Sequence, residues 1–342
     1  MIKLAIDAMG GDLAPEITIK GSLMALSKEE NLYIYLYGDK DKINYIIKNK
    51  ISSSYYKSVE KRINIIHTPF FLKMNIKNTR EELRDNPANS LFLAIKAVQQ
   101  NKVDGVISAG PTQALVLSSF LIIKTINSVS RIALAPIFNS IENRKRILID
   151  AGANIEIEPE NLLNFAIYAS LAAKELLKID KPIVKLLNIG IEKDKGRAFE
   201  RQVYNLLEKN EKIIFKGNEE SKNIFNTEAD ILLSDGFTSN MVLKSYEGAF
   251  QNVFSSVKQI LTDNWFKKIV SKILFQKKFK QIKKNLDVKE IGGAILLGLN
   301  KIVIKAHGNS DDYAFYKAIL QAKILIETNF LNKISQNNIK KS

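Results

Sequence analysis

The chain has 342 residues, 46% hydrophobic and 25% charged, with a formal net charge of +15. That balance excludes a disordered or fibrous chain and leaves room for a sizeable core in one large domain or two lobes. The absence of cysteine and the presence of only two histidines, His67 and His307, exclude disulfides, thiolate chemistry and a multi-histidine metal centre.

No run of about 18 apolar residues without a charge suggests a transmembrane helix. The first residues enter a strand directly, with no basic-then-apolar leader, so the cytoplasm is the expected location. The lysine excess favours acidic partners: nucleic acid, anionic lipid or an acidic carrier protein.

Lys3–Ile6 predicts a short buried strand, stopped by Asp7-Ala8-Met9-Gly10-Gly11-Asp12. Ala14-Pro15 then leads into a helix from about Ile17 to Leu26. Two adjacent glycines let backbone N–H groups approach an anion, while the flanking acids call for a cation or a proton to manage. The spacing is not the Gly-x-Gly-x-x-Gly of a dinucleotide loop. Taken alone, the stretch reads as a tight turn.

A strand over Leu32–Tyr37, a polar helical segment to about Lys61 and a strand over Ile63–Ile66 follow. Thr79–Pro87 reads as a charged loop in which Arg80 and Arg84 either face an anion or, as the preferred reading, pair locally with Glu81, Glu82 and Asp85. Asn89 or Ser90 caps a helix to Gln100. The strand Val103–Ser108 ends in Ala109-Gly110-Pro111-Thr112 before an apolar helix to about Ile126, a second junction where free N–H groups suit an anion.

Ile132–Phe138 and Arg146–Ile149 read as paired strands, the second ending at Asp150–Asn154, before a helix from Pro159 to about Leu177. Three more strands end at Asn188-Ile189-Gly190, Lys216-Gly217-Asn218 and Ser234-Asp235-Gly236, with helices over about Ala198–Lys209 and from Asn240. Strands that alternate with helices and end repeatedly in Gly with Asp or Asn predict a mostly parallel, doubly wound α/β sheet whose polar ends collect on one rim.

Asn252–Leu286 breaks this pattern. Phe254, Val257, Ile260 and Leu261, then Trp265, Ile269 and Ile273, recur at helical spacing, and eight lysines fall between Trp265 and Lys284. The spacing predicts a basic amphipathic helical hairpin that either lies on an anionic membrane surface or packs against a partner subunit. The chain then returns to rule: a strand over Ile302–Ile304 ends in Lys305-Ala306-His307-Gly308, a helix spans about Tyr313–Thr328, and a polar, frayed tail follows.

In their order, these junctions resemble the bacterial phosphate acyltransferases of phospholipid synthesis, which act on acyl carrier protein. The resemblance spans about residues 3 to 328. It is carried by Asp7–Asp12, Ser108-Ala109-Gly110, Asp150–Asn154, Leu186–Gly190 with Lys195-Gly196, Gly217-Asn218, Asp235-Gly236-Phe237 with Asn240, Gly292-Gly293-Ala294 and Lys305–Gly308. The chain departs from that pattern at Pro111, Gln113, Ser239 and Ile295, where the family usually has Asn, Gly, Gly and Pro.

The resemblance implies a three-layer α/β/α Rossmann-like fold akin to isocitrate and isopropylmalate dehydrogenases, with a projecting helical hairpin. It implies one catalytic domain over 1–330 with the arm at 252–288 inside it and a tail at 331–342. It further implies a homodimer, peripheral membrane association, and transfer of an acyl group from acyl carrier protein to inorganic phosphate. The acyl-phosphate would pass to a glycerol-phosphate acyltransferase at the membrane. No cofactor, metal or nucleic acid is called for.

On this reading Asp7, Asp12, Lys305 and His307 are candidates for charge and proton handling. Gly10, Gly11, Gly110, Thr112, Asn154, Asn188, Lys195, Asn218, Asp235, Asn240 and Gly308 are candidates for holding phosphate and the thioester. A phosphate acetyltransferase or dehydrogenase of similar fold, and a non-catalytic membrane-docking protein, are the competing readings.

Overall fold

The computed structural model describes all residues except 77, 127–128, 141, 143, 266–291 and 340–342. Eleven strands form one sheet. The first half is a run of strand–helix units. β1 (Ile2–Asp7), β2 (Leu32–Gly38), β3 (Ile63–His67) and β4 (Gly105–Ser108) alternate with α1 (Glu16–Lys28), α2 (Lys40–Lys50), α3 (Ser53–Val59), α4 (Thr79–Asp85) and α5 (Ser90–Gln99). After α6 (Thr112–Ile123) the chain forms β5 (Ala133–Asn139) and β6 (Lys145–Ile149).

Next come α7 (Pro159–Ala172), which widens into a π turn through Leu177, then β7 (Ile183–Asn188), α8 (Ala198–Glu208), β8 (Ile214–Glu220), β9 (Ile231–Leu233) and α9 (Gly236–Thr262). β10 (Ala294–Leu297), β11 (Ile302–Lys305), α10 (Asp312–Glu327) and α11 (Phe330–Ile339) close the chain.

The sheet order is β3-β2-β1-β4-β11-β10-β5-β6-β9-β7-β8. Side chains alternate across a strand, and β1 shows the result. Leu4 and Ile6 pack into a core built with α1, α2, α7, α8 and α10. Ala5 faces a second core built with α5 and α6. Two cores on two faces of one sheet make three layers, as expected for a mostly parallel sheet covered on both sides.

Strand direction overturns one expectation. β1 to β5 and β11 run one way, because their pairings are parallel or pass through two antiparallel steps at β10. β5 pairs antiparallel with β6, and β9, β7 and β8 follow β6 in parallel. The polar strand ends therefore fall at two opposite edges of the sheet rather than on one rim.

Two segments are more ordered than their polarity suggests. Thr79–Asp85, expected as a loop, is helical because Asn78 accepts from Glu81 N and Leu83 is buried. The local pairing of Arg84 with Asp85, at 2.9 Å, is as expected. The tail expected over 331–342 is helical as far as Ile339, in α11, which places Ile334 in the main core beside Phe330 at the head of the helix.

α9 also begins four residues before its expected start, because Asp235 accepts from Thr238 N at 2.6 Å. Of the basic arm, only the part up to Trp265 is described, and its eight lysines lie outside the described residues. Among the described residues no helix is long and apolar enough to cross a membrane.

Candidate active site

Three parallel strands end in register at one edge: Asp7 of β1 beside Ser108 of β4, and Ser108 beside Lys305 of β11. Asp7 is 2% exposed. One of its carboxylate oxygens accepts from Ser90 Oγ at 2.6 Å and the other from Ser108 Oγ at 2.7 Å. Ser108 Oγ in turn accepts from Gly110 N at 2.9 Å. Burial pushes the Asp7 carboxyl up from its ordinary range, against the hydroxyl bonds and the Lys305 charge that pull it down.

Lys305 is 7% exposed and donates to the Ala109 and Ala306 carbonyl oxygens. Burial lowers its ammonium from 10.5 to about 8, while the charges of Asp7 and Asp12 hold it from falling further. A buried cation poised near neutrality at a strand edge is a candidate for binding an anion or stabilising developing negative charge.

Glycines close the space around this row. A Cβ on Gly10 would lie 2.4 Å from Asp7 Oδ2 and 2.6 Å from Gly110 N. Gly11 has φ +111°, and a Cβ there would come within 3.1 Å of Ala109 Cβ and 3.2 Å of the Gly308 carbonyl. Asp12 N donates to that same carbonyl at 2.8 Å, tying the first loop to the last. Buried Thr18 holds the turn from the other side by donating to the Ala8 carbonyl at 2.7 Å.

His307 is exposed at the mouth and accepts from Asn309 N through Nδ1 at 3.2 Å. Thr112 opens α6 beside Gly110. Asp7, Gly10, Gly11, Asp12, Gly110, Thr112, Lys305, His307 and Gly308 thus come from the loops at one edge of the sheet.

The other six candidates lie at the opposite edge, after β6, β9, β7 and along β8. Asn154 donates to Asp150 and to the Ile132 carbonyl. Asn188 donates to the Lys195 carbonyl and accepts from Ile189 N. Asn218 donates to the Glu192 carbonyl at 2.7 Å. Asp235 caps α9 and pairs with Arg197. Asn240 abuts Gly152, and Lys195 is exposed. Four of these six side chains, those of Asn154, Asn188, Asn218 and Asp235, are engaged in hydrogen bonds within the protein.

Three participants escaped sequence reasoning as site residues. Ser90 is separated from Asp7 by 83 positions, and locally it looked like a helix cap; Asn89 is the cap instead, accepting from Phe92 N at 2.9 Å. Ser108 is a further 18 residues on. Asp150 accepts from Leu134 N, Ala153 N and Asn154 N, and so holds the second edge together.

The chain matches the sequence profile of the fatty acid synthesis protein family over residues 2–333. The chain belongs to this family. A "Phosphate acyltransferase" of Aster yellows witches'-broom phytoplasma is 52% identical, covering 98% of this chain and 91% of its own length. That of Acholeplasma laidlawii is 39% identical over 98% of this chain and 97% of its own. A phosphotransacetylase from Streptococcus pyogenes superposes with a TM-score of 0.60 at 16% identity, covering 95% of this chain and 94% of that one. The last likeness establishes the fold, a mixed α/β sheet with helices on both faces.

Proposed function

We propose that this chain is an acyl-carrier-protein:phosphate transacylase working at the Asp7–Ser108–Lys305 edge. Supporting this reading are the family and the relatives named phosphate acyltransferase. The observation that carries it to a site is the glycine cradle beside a buried ammonium. Gly10, Gly11, Gly110 and Gly308 meet so closely that a Cβ at Gly10 or Gly11 would strike neighbouring backbone or Asp7. Space bounded by backbone and one cation suits a small tetrahedral anion.

The reaction balances without an enzyme nucleophile. A phosphate oxygen attacks the thioester carbonyl carbon, the C–O bond forms, the C–S bond breaks and the carrier thiolate leaves with the electron pair. Lys305 offsets the phosphate charge and the developing oxyanion. The Ser90–Asp7–Ser108 clamp keeps a negative charge behind the ammonium and sets the Gly10 and Gly110 loops. His307, exposed at the mouth, is placed to give a proton to the leaving thiolate.

The test is direct. The protein is incubated with acyl carrier protein thioester and phosphate, and acyl-phosphate is trapped with hydroxylamine, with and without anionic liposomes. Product that requires phosphate supports the reading. Thioester consumption that is independent of phosphate would sink it.

Membrane contact through residues 252–286 and assembly as a homodimer belong to the same proposal. Val253, Val257, Ile260 and Trp265 are exposed along α9 and just past its end, with Trp265 at 75%. Two apolar partners fit such a face, a bilayer interface and a second α9.

A further inference from the structure

The acyl chain of the substrate must lie somewhere next to the thioester, and the segment after β3 carries apolar side chains to that place. It runs Thr68-Pro69-Phe70-Phe71-Leu72-Lys73-Met74 and is pinned at several points. Thr68 Oγ1 donates to the Ala88 carbonyl at 2.6 Å and accepts from Phe70 N at 3.2 Å. Leu72 is buried in the core on the α5–α6 face. Ser90 N donates to the Phe70 carbonyl at 3.0 Å, and the hydroxyl of that serine binds Asp7. The loop is thus fastened to the clamp that organises the site.

Apart from Lys73, its unburied residues are apolar. Phe70 is 52% exposed and Met74 36%, and Leu13, next to Asp12 on the neighbouring loop, is 52% exposed. Met74 reaches furthest in. A Cβ on Gly308 would sit 2.7 Å from its terminal methyl, 3.6 Å from Asp12 Oδ2 and 3.8 Å from the Ala109 carbonyl. A flexible apolar side chain therefore lies over the backbone that closes the glycine cradle, while the polar groups of the cradle lie beneath it. Methionine has three soft torsions and a polarisable sulfur, so it adapts to apolar partners of different length.

We propose that Met74, with the exposed Phe70 of the same loop and Leu13 of the neighbouring one, is the contact for the acyl chain and sets which chain lengths are used. This rests on the transacylase reading. An apolar tail leaving the cradle meets Met74 first. Short chains end at its methyl, and long chains continue along the exposed Phe70 and Leu13. Met74 touches the acyl tail, not the reacting atoms, so it governs selectivity rather than the chemical step.

The experiment compares butyryl, octanoyl and palmitoyl carrier protein with the wild type, Met74→Ala and Met74→Gln. Met74→Gln keeps the length of the side chain and removes its apolar character. The expected result is a change of about 5-fold or more in the palmitoyl-to-butyryl ratio of kcat/KM in both variants, a loss consistent with one or two buried methylenes. The KM for phosphate should stay within about 2-fold, since the cradle is untouched. An unchanged ratio in both variants overturns the inference.

A second arm measures binding of non-hydrolysable thioether analogues of the same three carriers. Chain-length-dependent affinity for these analogues that follows Met74, with no acyl-phosphate formed from the thioester carriers of the first arm, would keep the contact and overturn the transacylase reading instead. Equal affinity of wild type and both variants at every length would overturn the contact.

Discussion

In the proposed reaction, Lys305 is the residue on which the chemistry turns. It is buried at the edge of the sheet, and burial brings its ammonium down to about 8. Lys305→Met should lower kcat/KM by roughly 10²–10³-fold, the range for removing one preorganised electrostatic contact. The same variant leaves the buried Asp7 carboxyl without its counter-charge, so it should be less stable than the wild type, by up to about 3–5 kcal/mol. Steady-state kinetics beside a thermal melt check both statements; full activity in the variant would remove Lys305 from the mechanism.

The pH dependence has a definite sign. Below about pH 8 the amine is charged and above it neutral, so phosphate KM should be level through about pH 7 and rise by up to ~10-fold per unit beyond the pKa. A KM that stays level to about pH 9.5 would show that the ammonium charge is not what holds phosphate. Stability carries the opposite slope from this group. Its folded pKa lies below the unfolded value, so the unfolded chain binds more protons and stability rises between about 8 and 10.5.

Gly10 offers a steric test. Its Cβ would strike Asp7 Oδ2 and Gly110 N, so Gly10→Ala should cost about 1–3 kcal/mol by overpacking and displace the clamp. Denaturant unfolding gives the first quantity, and loss of kcat without a matching loss of carrier affinity gives the second.

At the scale of elements, the instructive case is α11. Its sequence, Phe330–Ile339, is polar enough to read as a tail, but Ile334 is 1% exposed and Phe330 2%. Ile334→Ala should cost about 2–4 kcal/mol, as a buried aliphatic truncation does. A value within the error of a surface substitution would return α11 to the status of a tail. The helix is hard to read from sequence because, among its described side chains, only Phe330 and Ile334 are fully buried, too few to make a period.

Strand ends were easier. The runs Leu4–Ile6 and Val106-Ile107, and Ile302–Ile304, stop at Asp7, Ser108 and Lys305, and each stop is visible because an apolar stretch meets a polar residue and glycine. The cap at Asp235, an Asp three residues before Thr238, is also readable, and it starts α9 at Gly236 rather than at Asn240.

Across the whole molecule, the net charge of +15 argues for an acidic partner. KM for the carrier-bound substrate should rise as salt goes from about 50 to 500 mM, because screening shortens the reach of surface charge, while phosphate KM changes less. Identical salt responses for both substrates would count against electrostatic docking. The arrangement of the sheet carries the larger lesson. The two antiparallel steps at β10 cancel, and the one between β5 and β6 sends the polar ends of β6, β9 and β7 away from those of β1, β4 and β11.

Composition, alternation and the ordered junctions by themselves determined the α/β class, nearly every strand, the family resemblance and the candidacy of Asp7, Gly10, Gly11, Lys305 and Gly308. These are local properties: an apolar run buries, a glycine pair turns, a cap residue starts a helix. Only the tertiary structure decided which junctions meet. The Ser90–Asp7–Ser108 clamp and the approach of Met74 to Gly308 depend on strand order and direction. Those are set by how a large sheet buries both faces at once, a global packing condition that no single stretch of sequence records.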